Sequence, residues 1–122
     1  MARVPMTERR TLSASTLKGD PVRNTMGEDL GKVEDLMIDL EAGRVAYVVL
    51  SFGGFLGLGE KLFAVPWDAL TVDMDKHAVI LDVPKERLKE APGFDKNNWP
   101  DFSDQAWGAR IFEFYRVTPY WE

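Results

Sequence analysis

The chain has no cysteine, which excludes disulfides, thiol nucleophiles, zinc ribbons and iron–sulfur clusters. It has one histidine, His77, so any imidazole-based catalysis must pass through that residue. No apolar run approaches the roughly 20 residues that span a bilayer, and no apolar signal core follows the first residues. Membrane insertion is therefore not expected, and the cytoplasm is the expected location. Basic residues are outnumbered, 15 Lys and Arg against 20 Asp and Glu, giving a formal net charge of -5. Phosphate contacts need clustered Lys and Arg, so nucleic acid is not an expected partner.

What is present fits one globular domain. The 122 residues suffice for a single modest core, and 45% apolar with 29% charged content argues against wholesale disorder. Residues 1–10 mix charge with few apolar groups and read as a flexible tail. "TLSASTLKGDPVRN" predicts a short strand and then a turn of helix capped by Ser13 or Ser15, ending near Gly19 and Pro21. "GKVEDLMIDL" predicts the first long strand. Its apolar positions slip phase once between Val33 and Leu36, which marks a β-bulge near Glu34 and Asp35. "EAGR" closes a hairpin, with Gly43 suited to a positive φ.

"VAYVVLSF" is apolar on both faces and predicts a central strand. Past a glycine-rich loop, "KLFAVP" predicts a strand ended by Pro66, and "WDAL" a helical turn. "TVDM" and "HAVILDV" predict a last hairpin around "DMDKH". Five or six short strands with local connections argue for a small antiparallel barrel or rolled sheet. "DVPKERLKEAPG" predicts a short helix with Asp82 as its cap. In "DQAWGARIFEFYRV", Trp107, Ile111, Phe114 and Tyr115 form one aromatic stripe on a helix. Eight of the fourteen aromatic residues lie from Trp99 onward, so this tail must bury itself on something.

Four constellations invite a chemical reading. In "SFGGFLGLGEKLFAVPW", Gly54 and Gly59 have the spacing of a phosphate-binding loop. Glu60 stands where the lysine belongs, Lys61 comes one place late, and Leu62 replaces the hydroxyl that holds magnesium. A strand also follows where a helix N-terminus is required. The loop turns the chain, Gly53 and Gly54 supplying backbone freedom and Phe55, Leu56 and Leu58 forming its tip. "DMDKH" puts Asp73, Asp75 and His77 at alternate positions, which on a strand share one face and suit a metal. The competing reading is a turn, where Asp bonds its own backbone. Glu28, Asp29, Glu34 and Asp35 offer a carboxylate pair for acid–base work, against the plainer reading of a solvated face. In the tail, Trp107, Ile111 and Tyr115 either cap the open end of the barrel or join an interface.

"GEDLGKVEDLMID", "GRVAYVVLSFGGFLGLGEKLFAVPWDAL" and "LDVPKERLKEAPGFDKNNWPD" together resemble the PRC-barrel domain. That module occurs at the cytoplasmic end of the photosynthetic reaction-centre H subunit and in the maturation factor of the small ribosomal subunit. Its most specific element here is the ordered run of Gly31, Lys32 and Val33, the glycine loop, then Val65, Pro66, Trp67 and Leu70. The resemblance implies a mainly β fold: a small, strongly bent antiparallel barrel over 11–101, followed by a helical aromatic tail, 102–122, packed on it. It implies a protein–protein platform with no catalytic residues, no cofactor and no metal. The chain is expected to be a stand-alone member, since neither a membrane helix nor a second barrel accompanies it.

The expected function is a non-enzymatic interaction module, self-associating as a homodimer and docking a further protein. The alternative is a small-molecule or metal sensor using the barrel mouth or the Asp73, Asp75 and His77 turn. Candidate interaction residues are Phe55, Leu56 and Leu58 at the loop tip, with Tyr120 and Trp121 in the tail. Candidate structural residues are Gly31, Gly53, Gly54, Gly57, Gly59, Pro66, Trp67, Trp107, Ile111 and Tyr115.

Overall fold

A computed structural model of the protein describes residues 10–53 and 60–122. The chain enters through a single helical turn, α1 (Ala14–Leu17), which the Ser13 hydroxyl caps by accepting from the Thr16 amide at 3.2 Å. The strand expected before this turn lies after it instead, as β1 (Pro21–Arg23). The Ser13 cap commits the preceding residues to helix initiation, and Pro21 is tolerated as the first residue of a strand.

The long strand β2 (Asp29–Asp39) carries the expected bulge. Val33 faces Leu50 and Asp35 faces Val49, leaving Glu34 as the extra residue. Near the start of β2, Gly31 has φ +100°, and a Cβ built there would lie 2.1 Å from the Ser51 carbonyl oxygen. Only glycine lets β2 and β3 (Arg44–Gly53) approach so closely there. The hairpin between them is held by Asp39, whose carboxylate accepts from the Glu41 and Ala42 amides at 3.0 Å. Gly43 closes it at φ +68°, as its sequence position predicts.

β3 pairs without interruption with β4 (Glu60–Pro66). A single 3-10 turn at Trp67–Ala69 follows, then the hairpin of β5 (Leu70–Asp73) and β6 (Ala78–Leu81). The strands form one curled six-stranded sheet, a half-barrel in the order β4-β3-β2-β1-β6-β5. β3 is not its central strand but second from the β4 edge. It is nevertheless buried continuously over Ala46–Phe52, so both of its faces are covered. Pairing is antiparallel except between β1 and β6, where Val22 faces Val79 in a parallel register. The outer edge of β4 is closed where Leu62 and Phe94 exchange two backbone bonds of 2.9 and 2.8 Å.

Asn24 ties the turn after β1 to the chain leaving β6. It is 4% exposed and uses all of its bonding capacity. Its amide donates to Glu28 and to the Val83 carbonyl, and its oxygen accepts from the Met26 and Glu28 amides. α2 (Lys85–Lys89) starts at Pro84 with no side-chain cap; Asp82 accepts from the Thr25 hydroxyl instead. α3 (Gln105–Phe114) is capped by Asp104, which accepts from the Ala106 and Trp107 amides. It ends in a left-handed Arg116 (φ +59°), with the Val117 amide bonded to the Phe112 carbonyl.

Candidate functional site

The aromatic tail folds back onto β3 within the same chain. Tyr47, on β3, is packed by Phe102, Trp107 and Phe112 at ring-centroid distances of 5.6, 5.5 and 5.6 Å. Phe112 in turn carries Trp121 at 4.9 Å, which touches Tyr120 at 5.2 Å. Between these rings, the β2–β3 hairpin and the start of α3 lies an open groove of about 460 Å³. Tyr47, Phe102, Tyr120 and Trp121 supply its aromatic walls, and Ile38 and Trp121 at its margin are 52% and 46% exposed.

Tyr120 is fixed from two sides. Its hydroxyl donates to the Asp39 carboxylate, and the Arg44 guanidinium lies over its ring at 3.9 Å while pairing with Asp68 at 2.7 Å. The Ala42 amide first, and the Tyr120 hydroxyl next, hold the Asp39 carboxyl below the usual carboxylate range. Burial first, then the bond to Asp39, pushes the Tyr120 phenol up to about 12. Burial pushes Tyr47 to about 12 as well. Tyr115, 7% exposed, is raised by burial too, and its hydroxyl is enclosed with no hydrogen-bond partner among the described residues.

A family model described as the PRC-barrel domain matches residues 10–88, well over half of the chain. The chain belongs to the PRC-barrel family. Among solved structures, this PRC-barrel protein is similar to RimM of Pseudomonas aeruginosa, described as a 16S ribosomal RNA processing protein. The identity is 17%, with 68% of this chain and 50% of that one covered and a TM-score of 0.45. The chain thus spans half of that protein's length. No curated protein sequence matches it.

Of the candidate interaction residues, Tyr120 and Trp121 come together in the groove wall, whereas Phe55, Leu56 and Leu58 lie outside the described residues. Gly54, Gly57 and Gly59 lie outside them too. Gly53 ends β3 at φ +105°, Pro66 ends β4 opposite Tyr47, and Trp67 opens the 3-10 turn half-buried. On α3, Ile111 and Tyr115 are buried and Trp107 is half-buried. Phe112, off that stripe, is buried more deeply than Trp107 because the tail wraps a second side of the helix.

The turn reading of "DMDKH" matches the geometry. Asp73 accepts from the Lys76 amide at 3.1 Å, and His77 adopts φ +50°. Among the described residues no three His, Asp or Glu side chains are grouped as a metal site, so Asp73, Asp75 and His77 do not converge. Also among the described residues, no helix is long and apolar enough to cross a membrane. Sequence reading missed the groove residues Ile38, Tyr47, Phe102 and Gly108. Their only advance signal was the aromatic excess of the tail, which required a partner surface on the sheet.

Proposed function

We propose that this PRC-barrel protein is a non-enzymatic, cytoplasmic interaction module that pairs with a second copy of itself and docks a further protein. The observation that carries the reading is the half-exposed Trp121 beside the half-exposed Ile38, at the margin of an aromatic groove. Aromatic side chains are enriched in binding cores, and a tryptophan left partly in water next to an aliphatic group is a natural anchor. Phe55, Leu56 and Leu58, which lie in sequence between β3 and β4, add three large apolar groups to the proposed surface. A two-fold axis lets one such surface cover itself, within an interface of about 800 Å² per subunit.

The test is size-exclusion chromatography with light scattering on three chains. Phe55→Asp combined with Leu58→Asp is expected to elute as a monomer, whereas Asp75→Ala on the remote turn is expected to pair like the unmodified protein. A double variant that pairs as tightly as the unmodified chain overturns the assigned surface.

A further inference from the structure

The groove beside Tyr47 suits an apolar, uncharged guest. Its walls are the rings of Tyr47, Phe102, Tyr120 and Trp121, and its volume of about 460 Å³ falls within the roughly 300–1,000 Å³ of ligand-sized clefts. Ile38 and Trp121 at its margin remain 52% and 46% exposed. Its carboxylates do not call for a cation: Asp39 accepts from the Glu41 and Ala42 amides, and Asp104 caps α3. An acidic guest would be repelled by them, whereas an uncharged one gives up no ion hydration on entry.

The chain itself carries a segment of that character. Residues 54–59, Gly-Phe-Leu-Gly-Leu-Gly, have three large apolar side chains and no charge. They lie in sequence between Gly53 and Glu60, which face each other across β3 and β4. Within one chain the groove is beyond their reach. Tyr47 stands six residues before Gly53 on the same strand, about 20 Å away at the rise of a β-strand. Six residues tethered at both ends extend by at most about three residues, or about 10 Å. The groove and the two anchors of the segment thus lie at opposite ends of β3, so the segment can meet only the groove of another copy.

We propose that, in the self-paired protein, residues 54–59 of each copy fill the Tyr47 groove of the other. This rests on the self-pairing reading above and assigns its contact. A two-fold axis perpendicular to β3, with the β3 strands of the two copies antiparallel, brings both segments to both grooves at once, and the assembly closes at two chains. Phe55 adds a ring to an aromatic wall, and Leu56 and Leu58 give the half-exposed Ile38 its apolar partners.

The experiment is complementation between two variants of the full chain, read by light scattering and by NMR of isotope-labelled protein. Phe55→Asp with Leu58→Asp spoils the segment and keeps the groove; Ile38→Asp spoils the groove margin and keeps the segment. Each alone is expected to pair about tenfold more weakly than the unmodified chain, or worse. Mixed in equal amounts, they are expected to regain a species of two chains, because the intact segment of one meets the intact groove of the other. In the unmodified chain the Ile38 and Gly108 amides and the Trp121 indole are expected to shift as concentration rises. Trp121→Ala repeats the groove arm without a new charge, for the case that Ile38→Asp disturbs the fold. A mixture that pairs no better than its components, growth past two chains, or groove signals that stay still while the chain pairs overturns the proposal and leaves self-pairing standing. So do groove shifts that persist in the segment variant, or that vanish when residues 2–9 are removed, since those residues would then be the occupant. A chain that is monomeric at every concentration removes the self-pairing reading, and this contact with it.

Discussion

Replacing Gly31 by alanine should destabilise the fold by a large and specifically steric amount. Its φ of +100° is a conformation that an L side chain adopts at a cost of about 1–3 kcal/mol. The added Cβ would also sit 2.1 Å from the Ser51 carbonyl oxygen and 3.2 Å from the Phe52 Cα, both backbone atoms. β2 and β3 would have to part by about 0.9 Å to bring the closer contact to 3.0 Å. That movement strains the neighbouring pairs Lys32–Ser51 and Val33–Leu50, whose ladder bonds are worth about 1 kcal/mol each.

The expected loss is about 3–5 kcal/mol, a large part of the 5–15 kcal/mol typical of a domain. Gly43→Ala is the control. It has φ +68° with nothing within 4 Å of the new Cβ, so only the backbone term of about 1 kcal/mol applies. In urea unfolding followed by tryptophan fluorescence, the Gly31 variant should lower the midpoint by about 2 M, and the Gly43 variant by about 0.5 M. Equal midpoint shifts for the two would refute the argument that close strand approach, and not φ alone, requires Gly31.

Asn24→Ala should cost about 2–3 kcal/mol in the same unfolding assay, because it orphans the Val83 carbonyl and two amides around a buried position. A cost indistinguishable from a surface substitution would contradict the tie between the turn after β1 and the segment after β6. Tyr115→Phe removes a buried hydroxyl with no partner among the described residues, so the protein should gain up to about 1 kcal/mol; a clear loss would show that the hydroxyl is bonded. Alkaline pH should unfold the protein by a defined route. Tyr47 and Tyr120 are raised from 10.0 to about 12 in the folded state, so the stability they confer is present below pH 10 and lost as pH rises through 12. Thermal midpoints should fall across that window together with rising phenolate absorbance, and phenolate formation by both near pH 10 in a still-folded chain would contradict their burial.

Local features of this fold were legible and long-range ones were not. The slip between Val33 and Leu36 located the Glu34 bulge, since a period of two residues cannot absorb an extra one silently. Gly43 and the Asp-rich turn at Asp73 were readable because turns use short-range side-chain bonds. The parallel pairing of Val22 with Val79 joins strands far apart in sequence and leaves no local pattern to read. Asn24 carried no signal in the sequence, because burial of a polar group depends on what later segments bring over it. The candidate site divides the same way. Tyr120 and Trp121 stood out as aromatics at a terminus, but Tyr47 read only as one more residue of an apolar strand. Gly108 carried no signal in the sequence, because its fit against the Tyr47 hydroxyl depends on how α3 packs on β3.

The self-pairing proposed for this PRC-barrel chain is tested most directly by its mass in solution. Sedimentation velocity on the unmodified protein, from low to high micromolar concentration, should show a species with the mass of two 13.8 kDa chains that dissociates on dilution. A single 13.8 kDa species throughout that range would contradict it.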